Sequence, residues 1–123
     1  MPVIHADQAP VFDAAGGTVI TGLAAPSRGA NDVSVWRVRF APGEPSPVHA
    51  LTREETFVVL SGRLTVRFDD RSETGTAGDA LIVPAGPTFC LVAEDGPAEA
   101  LCVLPVGGQA IVDGAPFTPP WAE

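Results

Sequence analysis

Two residues of this 123-residue chain have the types and spacing of a proton-transfer or metal-binding pair, His49 and Glu55. They lie in the stretch Gly43-Glu-Pro-Ser-Pro-Val-His-Ala-Leu-Thr-Arg-Glu-Glu-Thr-Phe-Val-Val-Leu-Ser-Gly62. An imidazole changes charge close to neutral pH, and a buried carboxyl near it has its own protonation state displaced, so the two together can act as acid and base. The same groups are ligands for divalent ions. A third role for His49 is that of a hydrogen-bonded core residue. Ser46 and Thr88 offer a hydrogen bond to a ligand, but neither has the partners of a nucleophile. The chain contains no Lys for Schiff-base chemistry and no Tyr to serve as an acid.

Short strands must position these groups. In Val33 to Phe40, Trp36, Val38 and Phe40 alternate with Arg37 and Arg39, the pattern of a strand with one buried face. Thr18 to Thr21 forms an early strand. Glu55 to Leu60 and Arg63 to Phe68 make a hairpin about Ser61-Gly62, followed by a polar turn region from Asp69 to Gly75. Ala80 to Val83 and Phe89 to Ala93 flank Pro84-Ala85-Gly86-Pro87, and Leu101 to Leu104 follows. No window of ten or more residues free of Pro and Gly has helical periodicity. The reading is one all-β domain, a sandwich or barrel. Parity turns His49 and Leu51 to one side, with Glu55, Phe57 and Val59 facing in from the neighbouring strand and Glu54 facing out.

With these residues in view, the chain resembles the cupin family, small single-domain jelly-roll β-barrels (a double-stranded β-helix). The family's first motif is Gly, five residues, His, one residue, His, three residues, Glu, six residues, Gly. Here Gly43, His49, Glu55 and Gly62 fall in register, and Leu51 replaces the second His. The second motif is Gly, five residues, Pro, one residue, Gly, two residues, His; here it reads Gly78, Pro84, Gly86 and then Phe89. The resemblance implies a barrel over residues 31–105, preceded by an N-terminal arm and first strands over 1–30 and followed by a Pro-rich tail over 106–123. It also implies a homodimer and a degenerate metal site.

Four metal ligands are thereby reduced to two, so no metal is expected. If Fe, Mn, Ni or Zn is held, His49 and Glu55 hold it with a non-motif ligand, and His5 would have to fold across the mouth. Leu51 and Phe89 make the centre apolar alongside Trp36 and Phe57, so these four are expected to bind a small apolar or aromatic substrate. Filling of the barrel by the same side chains is the alternative. Arg53, near the mouth, is a candidate clamp for a carboxylate or phosphate, or else a surface charge. The implied function is a small-molecule-binding cupin, metal-independent and catalysing isomerisation, cyclisation or elimination through His49 and Glu55. The alternatives are a quercetinase-like metal-dependent dioxygenase and a non-catalytic binding protein.

Composition narrows the partners. A net charge of −8 disfavours nucleic acid and anionic membrane surfaces. The first residues carry neither a basic start nor an apolar run, and no stretch approaches the ~20 apolar residues of a membrane span, so a cytoplasmic protein is expected. Cys90 and Cys102 are read as free thiols. In the tail, Pro rules out a central strand, while Phe117 and Trp121 seek burial over the barrel mouth or on a second subunit.

Overall fold

The computed structural model describes residues 3–123 and bears out the all-β reading. Twelve strands form in chain order: β1 (Val11–Ala14), β2 (Thr18–Ala24), β3 (Val33–Phe40), β4 (Ala50–Leu51), β5 (Glu55–Ser61), β6 (Arg63–Arg67), β7 (Ser72–Thr76), β8 (Ala80–Val83), β9 (Cys90–Ala93), β10 (Ala98–Pro105), β11 (Ala110–Val112) and β12 (Ala115–Phe117). They assemble into a six-stranded antiparallel sheet ordered β1-β2-β3-β10-β5-β8 and two three-stranded ones, β12-β11-β4 and β7-β6-β9.

Alternation decides which side of each strand is buried. On β3, Ser34, Trp36, Val38 and Phe40 turn inward. The outward Arg37 and Arg39 both pair with Glu99 on β10. On β10, Ala98, Ala100, Cys102 and Leu104 face the core, and on β5 Glu55, Phe57 and Val59 do. These faces merge with Leu64, Val66, Leu91 and Phe89 into one apolar core between the sheets. The hairpin turn between β5 and β6 depends on Gly62, whose φ is 75° and whose absent side chain would sit 2.3 Å from the Pro97 carbonyl oxygen.

Four segments depart from the expectations. The region 69–75 is a turn only at its start, and Ser72–Thr76 pairs with β6 as an edge strand. Its polarity reflects an exposed edge, and Thr74 spends its hydroxyl on Thr65 at 2.7 Å. The early strand β2 runs three residues past its expected end at Thr21, and β1, with no expected counterpart, pairs with it. The tail contributes β12, which with β11 makes a hairpin around Asp113-Gly114. Both turn residues have positive φ (51° and 77°), the conformation for which Asp-Gly is favoured. As the Pro residues require, β12 lies at a sheet edge.

Candidate functional site

Between the inner face of the six-stranded sheet and the β12-β11-β4 sheet lies a cavity of about 220 Å³. Trp36 and Phe57 line it from β3 and β5, and Leu51 faces them from β4. Glu55 opens β5, the two-residue period placing it on the same inward side as Phe57. His49 enters from the segment just before β4. The structure thus brings His49, Glu55, Trp36, Leu51 and Phe57 to one cavity.

The polar groups are few and differ in setting. Glu55 is 4% exposed. Among the described residues no hydrogen bond or ion pair reaches its carboxyl group, and burial pushes its pKa up to about 8. At neutral pH it is a neutral acid with a proton to donate. His49 is half-buried, with its Nδ1 2.8 Å from the Pro47 carbonyl oxygen. A carbonyl only accepts, so Nδ1 carries the hydrogen and in the neutral ring Nε2 keeps the lone pair. No hydrogen bond or ion pair joins His49 to Glu55 among the described residues. The Glu55 shift comes from desolvation by burial.

Two expected substrate contacts lie elsewhere. Phe89 does not line the cavity; it is buried beneath His49, its ring centroid 4.4 Å from the imidazole and 6.3 Å from Phe68. Arg53 is exposed in the turn before β5, where the chain has not yet entered the sheet. Thr88 is exposed as well, and Ser46, although it lines the cavity, accepts a hydrogen bond from the Leu91 amide at 2.8 Å.

Other lining residues went unrecognised in the sequence. Cys102 was readable by parity, since it shares the inward side of β10 with Ala100 and Leu104 and sits opposite Trp36 and Phe57 in register. Burial, and secondarily the Glu55 charge, hold its thiol pKa well above the usual value, so it is a poor nucleophile. It is free, as is Cys90 on the other sheet. From the tail, Phe117, Pro119 and Trp121 complete the wall. Trp121 meets Phe12 edge-on at 6.0 Å, while Ser34 Oγ donates to the Ala122 carbonyl at 3.1 Å and the Ser27 amide to the Glu123 carbonyl at 2.9 Å. Of the two tail aromatics, Trp121 packs half-buried on this chain's own cavity, while Phe117 lines it and stays 44% exposed.

A catalytic divalent ion needs about three protein ligands. Here Leu51 and Phe89 offer no donor atom, His5 is exposed and away from the cavity, and Cys102, the other thiol or carboxyl group on the lining, is held protonated by burial. Among the described residues no group of three or more His, Cys, Asp or Glu side chains gathers as such a set. The donors present do not fit the metal centre that the motifs imply.

Residues 36–104 match the Cupin domain family. That match covers more than half of the chain, which therefore belongs to the cupin family. Solved structures agree on the jelly-roll fold. The polyketide cyclase RemF from Streptomyces resistomycificus superposes with a TM-score of 0.74 at 22% identity, over 85% of this chain and 79% of that one. KdgF from Halomonas sp. gives 0.71 at 17% identity, over 85% and 93%. An RmlC-like cupin from Shewanella frigidimarina gives 0.71 at 20% identity, over 84% and 88%. Auxin-binding protein 5 of Zea mays is 40% identical over 47 residues, which is 38% of this chain and 31% of that protein's length. No helix among the described residues is long and apolar enough to cross a membrane.

Proposed function

We propose that this cupin binds a small, largely apolar ring compound and moves a proton on it without a metal, as an isomerase, cyclase or lyase does. The observation that carries the reading is the carboxyl of Glu55, buried in an apolar cavity with no partner of its own. Its oxygens are not sealed in the protein but open onto the cavity, where a bound ligand can hydrogen-bond to them. The protonated carboxyl serves as acid toward a ligand oxygen, and Nε2 of His49 serves as base toward an adjacent C–H. The proton leaves carbon for Nε2, the C–H electron pair forms the carbon–carbon double bond, and the carbonyl oxygen takes the Glu55 proton, giving an enol.

The test uses 2-tetralone in D2O, with deuterium uptake at its α-carbons followed by NMR. The wild type is expected to accelerate exchange, and Glu55→Gln and His49→Ala to slow it by about 100-fold or more. Rates equal to buffer for all three proteins would overturn proton transfer. The absence of a hydrogen bond between His49 and Glu55 among the described residues favours non-catalytic binding as the second reading, and binding of the ketone without exchange would select it. For the quercetinase-like alternative, no group of three or more His, Cys, Asp or Glu side chains gathers as a ligand set among the described residues.

The reading extends to a homodimer in the cytoplasm. Exposed Val11 and Ile82 on β1 and β8, the two edge strands of the large sheet, support pairing of copies. Sedimentation at a single-chain mass of 12.6 kDa would contradict it.

A further inference from the structure

We infer that the cavity is selective for charge: it admits uncharged ring compounds that carry one hydrogen-bonding oxygen, a phenol or a ketone, directed at Glu55, and turns away carboxylates and phosphates of the same size. This rests on the small-molecule reading above and specifies its ligand.

Three observations carry it. First, among the described residues no Arg lines the cavity, and the chain has no Lys, so His49 is the one lining group that can offer an anion positive charge. Arg53, the one residue the motif region offered for that purpose, is exposed in the turn outside. Second, the titratable groups on the lining are Glu55 from β5, Cys102 from β10 and His49 from the segment before β4. Two of the three, Glu55 and Cys102, can carry only negative charge, and burial favours the protonated, neutral form of both. An anion entering here would be desolvated beside a carboxyl and a thiol. Third, apart from the Ser46 and Thr18 hydroxyl residues the rest of the wall is apolar, chiefly Trp36, Phe57, Leu51 and Trp121, and burial on it favours apolar surface.

The Glu55 carboxyl then sets the polar end of the ligand. Held protonated by its surroundings, it donates to a carbonyl oxygen, or accepts from a phenol while donating to it. The cavity of about 220 Å³ lies below the usual range for drug-sized ligands, which limits the occupant to one or two rings.

Both tryptophans of the chain, Trp36 and Trp121, line this cavity. Their two indole N–H signals in a ¹⁵N NMR spectrum therefore report occupancy directly. The probes are 2-naphthol, naphthalene and 2-naphthoate at pH 6.5. 2-Naphthol is expected to shift both indole signals and to bind about ten-fold or more tightly than 2-naphthoate. Glu55→Leu is expected to lose about ten-fold in affinity for 2-naphthol while keeping that for naphthalene, and Glu55→Gln, which still donates and accepts, to retain 2-naphthol within about three-fold. If 2-naphthoate binds as tightly as 2-naphthol to the wild type, charge selection is overturned while small-molecule binding stands. If no probe moves either indole signal, the small-molecule reading falls and this inference falls with it.

Discussion

His49 and Phe89 face one another across an antiparallel bridge and exchange both backbone hydrogen bonds, His49 N to Phe89 O at 3.0 Å and Phe89 N to His49 O at 2.8 Å. The bridge ties the first motif to the second at the two positions where the cupin pattern carries His. The side chains follow the backbone, with ring centroids 4.4 Å apart and planes tilted by 47°. A ring with no donor atom thus packs where the pattern implies a metal-ligating imidazole.

Metal uptake follows from that substitution. Freshly purified protein is expected to contain less than about a tenth of an equivalent of transition metal, because two motif donors are too few to hold an ion tightly. Leu51→His with Phe89→His restores the pattern around His49 and Glu55, and is expected to bind Zn(II) or Ni(II) at one equivalent. Elemental analysis of both proteins checks this. Stoichiometric metal in the wild type, lost in His49→Ala, would show that the protein recruits a ligand from outside the motif.

A dependence of stability on pH follows from Glu55. Its folded pKa of about 8 lies above the ordinary 4.5, so the folded state holds a proton that the unfolded chain releases between those values. Below pH 4.5 the carboxyl is protonated in both states and its full contribution is present. As pH rises toward 8 stability falls, by at most about 1.4 kcal/mol per unit, and above 8 the loss is complete. The groups sharing its cavity are Cys102, whose thiol stays protonated over this range, and His49, which makes no ion pair with it. Glu55→Gln cannot titrate, so its urea-unfolding free energy is expected to fall less steeply with pH than that of the wild type, the two curves diverging by a few kcal/mol by pH 8. Parallel curves would mean that Glu55 is solvated.

The sequence made the strands legible where burial imposed alternation. Val33 to Phe40 appears with its predicted bounds and faces because Trp36, Val38 and Phe40 leave no other register. Ser72–Thr76 was illegible for the opposite reason: an exposed edge strand needs no apolar face, and only its partner β6 reveals it. The Asp113-Gly114 hairpin was marked by its turn residues, but the surrounding Pro residues obscured it. At the site, parity put His49 and Leu51 on one side and Phe57 inward, and motif register chose Glu55 over Glu54. Neither rule says which inward side chains bond to one another, so the absence of a His49–Glu55 hydrogen bond and the packing of Phe89 against the imidazole were beyond them. Trp121 joins the cavity through a contact between the chain's far ends, with Phe12, which local patterning cannot report.

That long-range contact makes the tail part of the site. Trp121 lines the cavity and packs edge-on against Phe12, and the backbone around it is pinned by Ser34 and Ser27. Removing the indole deletes an aromatic wall and exposes the mouth, so Trp121→Ala is expected to cost about 2–3 kcal/mol, below the 3–5 kcal/mol of a fully buried aromatic because this ring is only half-buried. Trp121→Phe keeps an aromatic ring against Phe12 and is expected to recover more than half of that loss. Ser34→Ala leaves the buried Ala122 carbonyl without its side-chain donor and is expected to cost about 1 kcal/mol. Chemical denaturation of the three variants measures these values, and titration with 2-naphthol shows whether the wall is needed for binding. If Trp121→Ala left both stability and 2-naphthol affinity unchanged, the tail would be packing beside the cavity without forming it.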